Sequence, residues 1–371
     1  MSKNPPLLPA FLPSLPEKKR KSFYPLPLLL LLFFTGLAGC LILAGIRVSG
    51  GEEFYHTQRQ ILYLGLGLGL SIFASLIPFR FFRKGAGTLL VLSLLGLAGV
   101  LFFGKKINGM RGWFELGDLC LIQVSEFAKC AFILYGSELF SREKGKLSGT
   151  RFLLFFLLTG LFIFLILKEP DYGGAIMLFA SFLFLSVARG VKWRYLFLTL
   201  LFMAGVTVFF LLRNAYAFNR VYFFFADPES INASWHLQQF RYTLAQGSWT
   251  GTEWGSPLWT GAYLPFPHTD SLFAALVEMT GFVGGTLLIL LYMASGCAFT
   301  FMSWHIPSSC GKLFVFTFGA MLLFHALLHI GVNILLIPPT GVTLPFLSFG
   351  GSSLTALMLS CGIVFSAAAD Q

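Results

Sequence analysis

Charge is what this chain has least of. Asp, Glu, Lys and Arg make up 11% of its 371 residues, less than half the share of about 25% usual in soluble domains. A soluble globular protein is thereby excluded, and 56% hydrophobic residues with 44 phenylalanines leave a polytopic membrane protein. Missing too is any CxxC pair among the six cysteines (40, 120, 130, 297, 310 and 361), so zinc-ribbon and dithiol spacings are absent. Lying mostly in apolar runs, those cysteines read as small buried hydrophobes. No internal repeat is legible, which leaves an inverted-repeat transporter without its usual sign. No cleavable signal is expected: residues 1–24 read as a disordered, basic cytoplasmic tail ending in EKKRK (17–21). The net charge of +10 does not indicate nucleic-acid binding. Its basic residues sit in short segments between apolar runs, where membrane orientation places them.

What is present is a series of apolar runs. Ten spans are predicted, at 25–46, 60–78, 87–103, 119–139, 151–167, 172–188, 195–213, 271–294, 312–337 and 350–368, several near the short end of the roughly 17–25 residues that cross a bilayer. With the N-terminus inside, 16 of the 26 Lys and Arg fall on the inner side and nine on the outer, and Lys129 alone lies within a span. That bias puts both termini in the cytoplasm. The expected fold is therefore all-α, one ten-helix domain over 25–371, with a large outer loop, 214–270, between spans 7 and 8. Four tryptophans in that loop (235, 249, 254 and 259) suit a segment folded back onto the interface.

Charge inside a membrane is costly and marks function by default. SEFAK (125–129) sets Glu126 and Lys129 one helical turn apart on span 4; a packing ion pair and a substrate-facing pair both fit that spacing. KEPDYGG (168–174) places Asp171 at the start of span 6, where capping of free N–H groups is the simplest role. HTD (268–270) lies at the outer mouth of span 8. Thr269 or Asp270 there suits an N-cap, while a His beside a carboxylate also suits proton transfer. Glu278, two turns deeper, is expected to face the same cavity. HALLH (325–329) lacks the glutamate of HExxH, so its histidines read as packing residues rather than zinc ligands. Arg59, Arg111 and Arg220 share the outer side with these carboxylates. The combination suggests an anionic ligand, such as a lipid phosphate or pyrophosphate, together with acid–base chemistry.

PPTGVTLPFLSFGGSS (338–353) holds three prolines and three glycines within an apolar stretch. A regular helix is excluded, and irregular backbone at membrane depth persists only where protein or a wet cavity satisfies it. FGGSS (349–353) opens span 10, so its free N–H groups with Ser352 and Ser353 are expected to form an anion site; a tightly packed helix start is the plainer alternative.

Four motifs carry a resemblance that spans helices 1 to 10. PPTGVTLPFLSFGGSSL (338–354), IQVSEFAK (122–129), EPDYGGAI (169–176) and HTDSLFAALVEMTGFVGG (268–285) resemble signatures of the SEDS family of shape, elongation, division and sporulation proteins. Weaker landmarks are RQ (59–60), NGMRGW (108–113) and RVYFFFADPE (220–229). Departures are Val124 for a proline, Glu169 for a glutamine, Phe266-Pro267 before HTD, Met279 for a glutamate, Phe349 for a tyrosine, and an outer turn reduced to QGSWTG (246–251). GVTLP (341–345) is the form nearer FtsW, and ADPE (226–229) is nearer RodA.

The resemblance implies ten helices and peptidoglycan glycosyltransferase activity on lipid II at the outer face of the bacterial plasma membrane. It also implies a class B penicillin-binding protein as transpeptidase partner. Asp270 inherits the family's proposed catalytic role, Glu126 and Lys129 its functional pair, and Asp171 the aspartate of its QPD segment. The mechanism expected is inverting: Asp270 acts as general base on the acceptor hydroxyl, and some of Arg59, Lys129, Arg111 and Arg220 stabilise the leaving pyrophosphate. A divalent cation, magnesium or manganese, is the one cofactor this reading leaves room for. A lipid II flippase and a non-catalytic transpeptidase scaffold are the alternatives. The flippase needs a polar route through the inner half, where the sequence places little polarity.

Overall fold

Helices form where the apolar runs are long and free of proline, and proline or glycine marks many of their ends. The computed structural model describes residues 26–46, 55–107, 109–117, 120–143, 145, 147–213, 215–225, 235–252, 254 and 258–369. The N-terminal tail, Arg47 and the ADPE stretch (226–229) lie outside the described residues. Helices α1 (Leu26–Gly45), α2 (Tyr55–Leu76) and α3 (Phe79–Phe103) lead into three short strands, β1 (Lys105–Ile107), β2 (Met110–Leu116) and β3 (Cys120–Gln123). Then come α4 (Val124–Ser141), α5 (Gly149–Lys168), α6 (Tyr172–Ala188) and α7 (Trp193–Arg213). After α7 lie α8 (Ala215–Phe225), α9 (Trp235–Gly247) and the single turn α10 (Leu258–Ala262). Three long helices finish the chain: α11 (Leu272–His305), α12 (Ser309–Asn333) and α13 (Gly351–Ala369). Among the described residues, α2, α3, α5, α7, α11, α12 and α13 contain stretches long and apolar enough to cross a membrane.

The structure is mostly helical, as expected, but not purely so. Residues 119–123, expected inside span 4, belong partly to β3, the third strand of an antiparallel sheet ordered β1-β2-β3. Ile107 pairs with Met110, and Gly109 just before Met110 has φ +86°, a left-handed conformation that glycine adopts readily. A second correction concerns α3, which begins at Phe79 rather than 87. Arg80, Arg83 and Lys84 therefore ride on a helix instead of a loop. Arg83 and Arg142 both reach the buried carboxylate of Glu138, at 2.5 and 3.0 Å, tying α3 to α4.

Helix α11 is longer than span 8 was expected to be. Gly281, with φ +70°, breaks its regular geometry. The amides of Phe282 and Val283, freed at the break, donate to the carbonyls of Ser248 and Trp249 in QGSWTG. A Cβ at Gly281 would lie 2.3 Å from the Trp249 oxygen, so only glycine permits this docking. Residues 282–305 then form a helical piece of about 36 Å, a length that spans a bilayer.

α13 lies along α2, α11 along α12, and α4 packs against α3, α6 and α12. Where lipid replaces water, helix association depends on close packing and small residues. Gly362 supplies such an approach: its Cβ would stand 2.3 Å from the Ser71 carbonyl of α2. A second cluster buries Phe132, Phe155, Phe162 and Phe182 among α4, α5 and α6.

Candidate active site

The irregular segment between α12 and α13 satisfies its backbone from three directions. The Val342 carbonyl accepts from His329 Nδ1 at 2.7 Å, and the Pro345 carbonyl from the Tyr292 hydroxyl at 2.5 Å. The Ser348 carbonyl accepts from Gln60 Nε2 at 3.1 Å. Ser348 Oγ receives the Leu344 amide at 2.9 Å and donates to the Thr269 carbonyl at 2.8 Å. Irregular backbone thus persists because α2, α11 and α12 supply its partners, as burial in a membrane protein requires.

Asp270 lies against this segment. Gly341, at φ +72°, lies close enough that its Cβ would stand 3.9 Å from Asp270 Oδ2. Asp270 is not the helix cap: Ser271 holds the N-cap position of α11. Three successive carbonyls before the helix are clamped. His268 accepts from the Phe349 amide at 2.8 Å, Thr269 from Ser348 Oγ, and Asp270 from Asn333 Nδ2 at 3.0 Å. The His268 ring stacks on His56 at 4.0 Å. Burial, with His56 beside it, pushes the His268 imidazole down to about 4, so it is neutral at pH 7.

Glu126, Lys129 and Asp171 stand close enough to one another for their charges to interact. Lys129 Nζ donates to Glu126 Oε1 at 2.8 Å, with 7% and 12% of the two side chains exposed, so the pair is almost dry. A small cavity, roughly one water in size, lies beside it and is lined also by Cys130, His325 and Ser360. Asp171 caps α6, accepting from the Gly174 amide at 2.7 Å. Its second oxygen takes Ser125 Oγ at 3.2 Å and Gln123 Nε2 at 3.4 Å. Burial raises the Asp171 carboxyl, and the Gly174 amide and Lys129 oppose that shift. Gly173 packs so closely on the irregular segment that its Cβ would meet Val342 at 2.4 Å. The start of α6, which Asp171 caps, and Asp270 thus both lie against this one segment.

Glu169, which stands where the family pattern has glutamine, is fully buried, and neither carboxyl oxygen has a hydrogen-bond partner among the described residues. Burial, then the charge of Asp171, pushes its carboxyl up to about 8. At pH 7 it is a neutral acid of glutamine's size, so the departure changes the local chemistry little.

Other expected site residues are used differently. Glu278 does not face Asp270's surroundings. Its carboxylate accepts the Trp259 and Thr260 amides at 2.8 Å each and Thr260 Oγ1 at 2.5 Å, so α11 caps α10. Ser352 Oγ accepts the Gln123 amide at 2.9 Å and donates to Leu121 at 2.8 Å. Gly351 lies against the Tyr63 ring, and Ser353 is buried. The start of α13 is therefore packed against protein, and the expected anion site there gives way to the plainer alternative. Arg111 lies on β2 and donates to the Leu101 carbonyl at 3.2 Å, at the negative end of α3. Arg59 lies over the Tyr55 ring at 4.8 Å. Arg220 sits on α8, and its side chain is outside what is described. No group of three His, Cys, Asp or Glu side chains converges as a metal site among the described residues.

Sequence reasoning missed Asn333, Ser348, Glu138 and Tyr292. Asn333 and Glu138 are polar residues within apolar runs, a signal that was available; nothing in sequence marked the other two.

The chain matches the FtsW/RodA/SpoVE family model, described as cell cycle protein, over residues 25–371. It is 31% identical to "Probable peptidoglycan glycosyltransferase FtsW" of Hydrogenovibrio crunogenus, over 85% of this chain and 82% of that one. To the protein of the same name from Alcanivorax borkumensis it is 30% identical, over 93% of each. Among solved structures, a chain described under "Structural coordination of polymerization and crosslinking by a peptidoglycan synthase complex" superimposes with a TM-score of 0.79 at 29% identity, covering 94% of this chain and 98% of that one. Thermus thermophilus rod shape determining protein RodA gives 0.71 at 27% identity, over 94% and 97%.

Proposed function

The chain belongs to the FtsW/RodA/SpoVE family of cell cycle proteins, and from that premise we propose that it polymerises lipid II with Asp270 as general base. It is a peptidoglycan glycosyltransferase, a reading supported by relatives so named and by the likeness to a peptidoglycan synthase complex. The observation that carries Asp270 is its setting. It stands ahead of the α11 cap, beside Gly341, with its own carbonyl held by Asn333. A carboxylate whose backbone is held at this point, beside the irregular segment, suits removal of a proton from the acceptor hydroxyl, an effect worth about 10²–10⁴-fold. The pyrophosphate leaves from the donor, and Lys129, Arg59, Arg111 and Arg220 are the cations on that side. Magnesium or manganese, held in such reactions by one or two carboxylates plus substrate phosphates, fits the hard oxygens of Asp270 and would offset charge on the pyrophosphate.

Ten crossings follow if α1, α4 and α6 join the seven longer helices. Both termini then lie in the cytoplasm, and α8, α9 and α10 belong to the outer loop. The bacterial inner membrane is the location and a class B penicillin-binding protein the partner. The flippase and scaffold readings share one weakness: neither needs a positioned carboxylate at 270. The test is lipid II polymerisation by purified wild type and Asp270→Ala. Loss of glycan product with unchanged melting supports the assignment; normal glycan synthesis by the variant removes Asp270 from the chemistry.

A further inference from the structure

Asn333 ends α12 at the point where α11 begins, and its side chain is 0% exposed. One carboxamide there makes three hydrogen bonds. Nδ2 donates to the Asp270 carbonyl at 3.0 Å and to the His329 carbonyl at 2.9 Å, and Oδ1 accepts the Ala274 amide at 3.1 Å. Two carbonyls on one side and an amide on the other fix which atom is nitrogen. Ala274 lies in the first turn of α11, whose N–H groups have no partner within the helix. The N-cap residue does not supply one, because Ser271 Oγ turns away to the Pro265 carbonyl at 2.6 Å. Asn333 therefore caps α11 from a neighbouring helix and, with the other end of the same amide, holds the backbone of Asp270.

We infer that Asn333 is a positioning residue for the polymerisation reaction, setting where the Asp270 carboxylate stands relative to the first turn of α11. This rests on Asp270 being the base. The role requires a group that is donor and acceptor at once. Aspartate has only acceptors when ionised, and leucine of similar size has neither function. His329 extends the link, since its Nδ1 holds Val342, next to the Gly341 that faces Asp270. The groups on both sides of the carboxylate thus meet at one amide.

The experiment compares the full chain, co-purified with its transpeptidase where turnover requires one, as wild type, Asn333→Asp, Asn333→Leu and Asp270→Ala, with lipid II as substrate. A misplacement of about 1 Å costs up to roughly 10²-fold in rate, so both Asn333 variants should lose about 10- to 100-fold in kcat while KM for lipid II stays within about threefold. Should either melt well below wild type, Asn333→Ser, smaller and uncharged, takes its place in the comparison. Turnover within about twofold of wild type overturns the inference, as does a rise in KM that accounts for the whole loss. If Asp270→Ala is inactive and the Asn333 variants are normal, only the Asn333 inference fails. Polymerisation by Asp270→Ala overturns the base assignment and this inference together.

Discussion

The carboxylate of Glu278 closes on Thr260, accepting both its amide, at 2.8 Å, and its hydroxyl, at 2.5 Å. A residue of α11 thereby anchors the turn α10, and it also accepts the Trp259 amide 19 residues earlier in the chain. The Glu278 backbone adds to the attachment, since its carbonyl receives the Thr252 amide at 2.8 Å.

Replacing Glu278 with Ala leaves the Trp259 and Thr260 amides without their acceptor. Hydrogen bonds to a charged group contribute about 1.5–3 kcal/mol each, so melting should fall clearly and protease should cut between residues 248 and 263 faster than in wild type. Glu278→Gln, which keeps one acceptor oxygen, should fall between the two. Unchanged proteolysis of the alanine variant would show that the loop is held elsewhere.

Glu126 and Lys129 form a nearly dry ion pair. Lys129→Met strands a buried carboxylate, a change that costs about 3–5 kcal/mol. The double variant Glu126→Gln/Lys129→Met removes both charges and should recover most of the lost melting temperature. A double-mutant cycle of thermal melts checks this; equal melting of single and double variants would mean the pair is not coupled.

Glu169 and His268 predict opposite responses to pH. The Glu169 carboxyl sits at about 8 in the fold against its ordinary 4.5, so the folded state holds an extra proton across that window. Its stabilising contribution is complete below about 4.5 and is lost as pH rises to about 8, with a slope of up to about 1.4 kcal/mol per pH unit. Glu169→Gln should remove that decline, gaining on wild type in melting scans between pH 5 and 9. His268 is held at about 4 against 6.5, so its contribution is present above 6.5 and is lost as pH falls to about 4. His268→Gln should flatten the acid limb. Melting curves that run parallel to wild type across both windows would contradict these assignments.

The outline of this fold was open to inspection in the apolar runs, because a bilayer demands long apolar stretches and tolerates little else. Helices α5 and α6 match their predicted spans to within two residues at each end. The β-strands escaped notice for a related reason. Seven residues or fewer, flanked by span-like hydrophobicity, carry too little pattern to separate from a helix, although Asn108-Gly109 was a legible hairpin signal. Asp171 as a cap could also be read directly, since capping is local in sequence.

Which polar groups meet across helices was a matter for tertiary structure alone. Composition and motif order, set by the solvent and by local backbone chemistry, were enough to establish a membrane protein and its family resemblance. They left open that Glu278 turns to Thr260, that Ser352 is spent on β3, and that Asn333 holds the carbonyl of Asp270. Those contacts join residues far apart in the chain, such as Asn333 and Asp270 at 63 positions. Their geometry depends on how α11, α12 and α13 pack, and no local pattern encodes it.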